Sequence, residues 1–131
     1  MILTGAALQE VAETALEPEP SPTDFGPMSV DLHVPERVEV EPHGFAVVDA
    51  AEKLSMPNDI GAQITGRSSH MRDGVTMPGG FVDPGFEGAF ALEFFNHSDK
   101  TYTLEPDEAG GRLTIFELGN GTNGYQGRHG R

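Results

Sequence analysis

The sequence predicts an all-β domain, a closed barrel or a double-sheet jelly roll, entered through one short helix. Three observations carry this. Turn-forming residues are abundant, 17 Gly and 10 Pro in 131 residues, and they fall between short apolar runs. Within those runs the apolar residues alternate, the period of a half-buried strand, and long helical stripes are few. The length closes one hydrophobic core but not two, and a closed barrel or sandwich protects its sheet edges.

The elements follow in order. Residues 4–16 place Leu8, Val11, Ala12 and Ala15 at i, i+3, i+4 and i+7, one face of a short helix, with Thr4 as its N-cap. The acidic, proline-rich stretch 17–26 (EPEPSPTDFG) reads as an ordered turn or a mobile loop. Strands are expected at 29–34, 37–41, 45–48 and 60–65. The strongest is 89–95, followed by a short one at 102–104 and a last at 112–118. In 89–95, alternation places Phe90, Leu92 and Phe94 on one face and Ala89, Ala91, Glu93 and Phe95 on the other. The stretch 119–131 is polar and rich in Gly and Asn, so it buries little. It is expected to be a flexible tail on a β domain spanning 1–118.

Composition removes whole classes of function. The formal net charge is -13, with only two Lys, which argues against nucleic acid or an anionic membrane as partner. Adaptation to high salt and plain solubility both account for the acidity. With no Cys there is no disulfide, thiol nucleophile or Cys-ligated zinc. No apolar run approaches membrane-spanning length, and the N-terminus has no basic n-region, so a cytoplasmic location without a signal peptide is expected. The five His are scattered without ligand spacing. No metal site is expected, and surface or capping roles suit them best.

The scarce cations are clustered. Arg67 and Arg72 lie within RSSHMR, and Arg128 and Arg131 within the last four residues, half of all the positive charge in two short segments. Arg67, Ser68 and Ser69 offer a guanidinium fork, hydroxyls and turn amides suited to phosphate oxygens, in what reads as a loop. Asp83-Pro84-Gly85 is a turn, with Pro84 fitting its first central position and Gly85 its second. Glu93 follows on a strand face otherwise apolar. There, partial desolvation would raise its pKa and make it a usable base near neutral pH. No phosphate-binding P-loop and no hydrolase nucleophile elbow is present.

Taken together these segments resemble the dCTP deaminase branch of the trimeric dUTPase/dCTP deaminase superfamily. MSVDLHV (28–34) is similar to the family's "aSxDLRL", and GRSSHMRDGV (66–75) to "GRSSlxRlGv". GGFVDPGFEGAFALEFFN (79–96) is similar to "aGwIDPGfxGxitLElxN" almost position for position. AGGRLTIFEL (109–118) resembles the "GxrIxQlxF" strand and YQGRHG (125–130) the terminal "YQGQxG". The resemblance runs from about residue 28 to the end and implies a distorted jelly-roll homotrimer with active sites between subunits.

By that resemblance, Glu93 is the general base that activates water for attack on C4 of cytosine. Arg72 and Ser68 help hold the water and the tetrahedral intermediate, and the backbone at Gly79 orients the water or the amino group. Asp83 accepts from the deoxyribose 3′-OH, Phe86 packs on the sugar, and Leu92 belongs to the same nucleotide pocket. Arg67, Ser68 and Ser69 take the triphosphate, which carries Mg²⁺, and no zinc is used. A tail bearing Tyr125, Gln126 and Arg128 closes over the phosphates.

The spacing from Ser68 to Gly74, together with Arg72 and Glu93, favours deamination of dCTP. A bifunctional enzyme making dUMP is compatible. A plain dUTPase is the second reading, and a catalytically weak nucleotide-binding relative the third. The third is motivated by departures from the pattern: Gly124 where Lys is usual, Arg128 for Gln, His70 for a small apolar residue, Ile115 for Gln, and a short link from Leu118 to Tyr125.

Overall fold

In the computed structural model, which describes residues 1–127, two four-stranded antiparallel sheets share one apolar core. The chain runs through α1 (Gly5–Ala15), β1 (Leu16–Glu17), a 3-10 turn (Pro22–Asp24), β2 (Val30–His33), β3 (Val38–Val40), β4 (Phe45–Ser55) and β5 (Ile60–Thr65). It continues through α2 (Ser68–Arg72), β6 (Val75–Thr76), β7 (Gly80–Val82), β8 (Glu87–Asn96), β9 (Tyr102–Leu104) and β10 (Ala109–Glu117). One sheet has the order β1-β4-β8-β6 and the other β2-β10-β5-β7, while β3 and β9 form a separate ribbon. This is the jelly-roll type of all-β fold expected, with its short N-terminal helix. No helix among the described residues is long and apolar enough to cross a membrane.

Alternation explains the core. Leu92 and Phe94 point inward from β8, Leu32 from β2, Ile64 from β5 and Leu113 from β10, all without solvent exposure. Each such side chain contributes about 1.5–3 kcal/mol on burial. Helix α1 covers the core with Leu8, Ala12 and Ala15. Thr4 stands at its N-cap position but makes no side-chain capping bond. The proline-rich stretch is an ordered turn, because the Asp24 carboxylate accepts from the Ser21 amide at 2.9 Å and from its hydroxyl at 3.1 Å.

Several elements differ from expectation. Strand β4 runs on past residue 48 to Ser55, with Ala50, Glu52 and Leu54 facing inward. The inward carboxylate of Glu52, 5 % exposed, masks this alternation in the sequence. Its partner is His33, whose amide donates to Oε1 at 2.9 Å and whose Nδ1 meets Oε2. The His33 Nε2 lies 2.9 Å from Asp24. The Glu52 hydrogen bond raises the His33 pKa to about 9, against the opposing effect of burial and with the nearby charges of Glu52 and Asp24 adding to the rise. His70 is likewise buried, against Phe94 and Tyr102, with Nε2 3.2 Å from Glu108. Of the histidines expected at the surface or in capping roles, His33 is instead partly buried between two carboxylates, while His70, which stands between the two Arg of RSSHMR, is buried. The RSSHMR segment, read as a loop, contains the helix α2, too short to register as a periodic pattern.

Candidate active site

The turn Asp83–Phe86 sets the site. The Phe86 amide donates to the Asp83 carbonyl at 3.1 Å, and Gly85 has a φ of +80°. This is the conformation that Pro84 and Gly85 favour at the two central positions. The turn delivers the chain into β8, whose outward face carries Ala89, Ala91 and Glu93. A cavity of about 490 Å³ opens there, lined by Asp49, Gly79, Phe86, Ala89, Phe90, Ala91 and Glu93. Gly79 is pressed against β5 at a φ of +70°, and a Cβ there would collide with the Ile64 carbonyl. Only glycine lets the backbone approach β5 this closely at that φ.

Glu93 is exposed in the isolated chain, so the half-burial expected of it is not reached within one copy. It makes no hydrogen bond or ion pair with any described residue. Apart from Asp49, its neighbours on this sheet face are apolar. Pairing of β4 with β8 sets Val47 opposite Glu93 and Phe45 opposite Phe95, and Phe45 and Val47 are 67 % and 53 % exposed.

The structure brings only some of the expected residues together. Glu93, Gly79 and Phe86 share the cavity. Asp83 is exposed at the head of the turn and does not line it. Ser68, Ser69 and Arg72 are exposed on α2, and none of them reaches the Glu93 cavity. Arg67 pairs with Asp31 at 3.0 Å. Arg67 and Ser69 instead line a separate acidic depression with Asp31, His33, His70 and Glu108.

Leu92 is corrected: its side chain is fully buried in the core, because alternation turns it away from the face that carries Glu93. The Tyr125 ring packs against Phe86 at a tilt of 60°, with centroids 5.6 Å apart, and its amide donates to the Pro84 carbonyl. Tyr125 and Gln126 border a third depression with Asn58 and Gly85. Asn58 also accepts from the Thr122 amide and hydroxyl at 3.0 and 3.1 Å. Arg128 lies outside the described residues.

Sequence reasoning missed Asp49 and Phe90 as cavity residues. Asp49 was hidden because the strand was expected to end at residue 48, one position before it. The outward alternation of Phe45 and Val47, carried one step further, was the available signal.

The β jelly roll has the fold of the dUTPase/dCTP deaminase class. The comparisons agree. The dCTP deaminase-like family matches residues 34–118, and this chain belongs to it. A dUMP-forming dCTP deaminase of Kocuria rhizophila is 34% identical over 103 residues, covering 70% of this chain and 54% of the relative. One from Methanobrevibacter smithii is 41% identical over 80 residues, covering 60% and 41%. The chain thus spans about half the length of the curated relatives it matches.

Among solved structures, the 2′-deoxycytidine 5′-triphosphate deaminase of Agrobacterium tumefaciens superposes with a TM-score of 0.72 at 16% identity, covering 87% of this chain and 47% of that one. The dUTPase of EIAV gives 0.63 at 20% identity, covering 78% and 85%. These two likenesses bear on the fold.

Proposed function

We propose that this chain, as a homotrimer, hydrolyses the 4-amino group of dCTP to release ammonia and carries the product on to dUMP. The observation that carries the reading is Glu93, a carboxylate with no partner among the described residues, in the cavity lined by Phe86 and Gly79. Its role is to take a proton from the attacking water and pass protons to the departing ammonia. The balance is dCTP plus water to dUTP plus ammonia. A second water at the α-phosphate then yields dUMP and pyrophosphate. The names of the relatives, dCTP deaminase, dUMP-forming, support the second step.

Arg72 and Ser68 do not line the Glu93 cavity of their own chain, so the complete site takes them from a neighbouring copy. The exposed Phe45 and Val47 beside Glu93 are the apolar surface such a copy would cover, which would also supply the missing desolvation. Asp83 accepts from the sugar 3′-OH, Phe86 packs on the sugar, and Ser68, Ser69, Arg67 and Arg72 face the phosphates. Mg²⁺ arrives on the triphosphate as part of the substrate. A structural Mg(II) ion is named for the dUTPase of phage phi11, which shares this fold at 16% identity.

Incubation of the purified protein with dCTP or dUTP tests the reading. Ammonia and pyrophosphate from dCTP is the expected result. Ammonia alone would restrict the activity to deamination, and pyrophosphate from dUTP alone would make it a dUTPase. Nucleotide binding with no product would make it a non-catalytic binder.

A further inference from the structure

The cavity holds a second carboxylate. Strand β4 pairs with β8 so that Val47 faces Glu93 and Asp49 faces Ala91. Asp49 and Glu93 are therefore diagonal neighbours on one sheet face, with side chains roughly 7 Å apart at their bases. Both line the cavity. Directly after Asp49 the register jumps to Lys53, an irregularity that places extra residues of β4 opposite Phe90. Bulges of this kind re-aim side chains beside sites. Like Glu93, Asp49 makes no hydrogen bond or ion pair with any described residue.

An acid in this position weakens the binding of an anion, and the chain already carries a charge of -13. A carboxylate beside a triphosphate site therefore needs a compensating contact. Ionised Asp accepts hydrogen bonds and donates none. Of the two pyrimidines, cytosine presents an amino group at C4, a donor, and uracil a carbonyl, an acceptor. A fixed carboxylate facing that edge attracts the first and repels the second.

We infer that Asp49 is a specificity-determining residue: its carboxylate accepts from the exocyclic amine of a 4-aminopyrimidine nucleotide held against Glu93 and disfavours the 4-oxo analogue. This rests on the proposed function, since it concerns the same site. It supplies selection by the base edge, which neither the turn nor the phosphate contacts provide.

The test is calorimetric titration of the trimer with the α,β-imido analogues of dCTP and dUTP in the Glu93→Gln background, where neither ligand is consumed. The parent is expected to prefer the cytosine analogue. Asp49→Asn, whose amide can turn a donor toward a carbonyl, should narrow that preference about tenfold or more, as loss of a hydrogen bond to a charged group does. Asp49→Ala should weaken binding of the cytosine analogue and tighten that of the uracil analogue. Equal binding of both analogues by the parent, or an unchanged ratio in two folded variants, overturns the assignment. If the parent binds neither analogue, the nucleotide reading itself fails and takes the assignment with it. Selective binding with an unchanged ratio in the variants spares that reading and removes only Asp49.

Discussion

Two groups of charged residues lie in this small fold, and they are treated oppositely. Around β2, several charges are paired within the chain: His33 bridges Glu52 and Asp24, Arg67 holds Asp31, and His70 meets Glu108. Around β8 and α2, the charges are left open: Glu93, Asp49 and Arg72 make no ion pair with any described residue. The first set is paired within one chain, with His33, Glu52 and His70 largely shielded from solvent. The second lies on outward surfaces, where binding of a ligand or of another copy would complete it.

The sharpest way to break this contrast is to remove one member of the open set. Glu93→Gln should lower ammonia release about 10²–10⁴-fold, the range for loss of a positioned base. Its thermal midpoint should stay close to the parent's, because Glu93 is exposed and makes no hydrogen bond or ion pair with any described residue of its own chain. Mixing that variant with Arg72→Ala, after partial unfolding and reassembly, should restore a fraction of activity if one site draws on two copies. No restoration would place both groups in a single chain's site.

The paired set should behave in reverse. Glu52→Ala is expected to cost about 3 kcal/mol of stability, since it leaves His33 partly buried without its main partner. Denaturant titration would measure this, and a cost below about 0.5 kcal/mol, typical of a surface change, would move Glu52 out of the structural set. Activity per folded molecule should be little changed.

A smaller effect follows from pH. The folded pKa of His33 is raised to about 9 from an ordinary value of 6.5. Its contribution, on the order of 2–3 kcal/mol, is fully present below pH 6.5 and is lost as pH rises through 9. Urea midpoints at pH 6, 8 and 10 should fall for the parent and stay flatter for His33→Gln. Smallest of all, Asp83→Asn should weaken nucleotide binding about tenfold through one sugar hydrogen bond, with no change in stability. An equal loss for nucleotide and free pyrophosphate would point away from the sugar.

Much of the fold was legible. Ile60–Thr65 and Tyr102–Leu104 appear as expected because apolar runs bounded by turn residues signal strands directly. The D-P-G turn was legible for a similar reason, since Pro84 presets one dihedral and Gly85 permits the next. The second half of β4 was not. Glu52 reads as a solvent-facing residue until His33, 19 residues earlier, is found beside it. Leu92 was assigned to the pocket by its neighbours in the motif, although the same alternation that exposes Glu93 buries it. Asp49 went unseen because its place beside Glu93 depends on the pairing of two strands more than 30 residues apart.

The amino-acid order alone determined the β class, the turn, the inward face of each well-patterned strand and the acidic, cysteine-free character of the chain. These depend on backbone dihedrals and side-chain periodicity over a few residues. Tertiary structure decided which carboxylates are neutralised and which stay open, that RSSHMR coils into a helix over a buried His70, and that Asp49 shares a cavity with Glu93. Those outcomes depend on solvent exclusion and on strand register between distant segments, neither of which acts at short range along the chain.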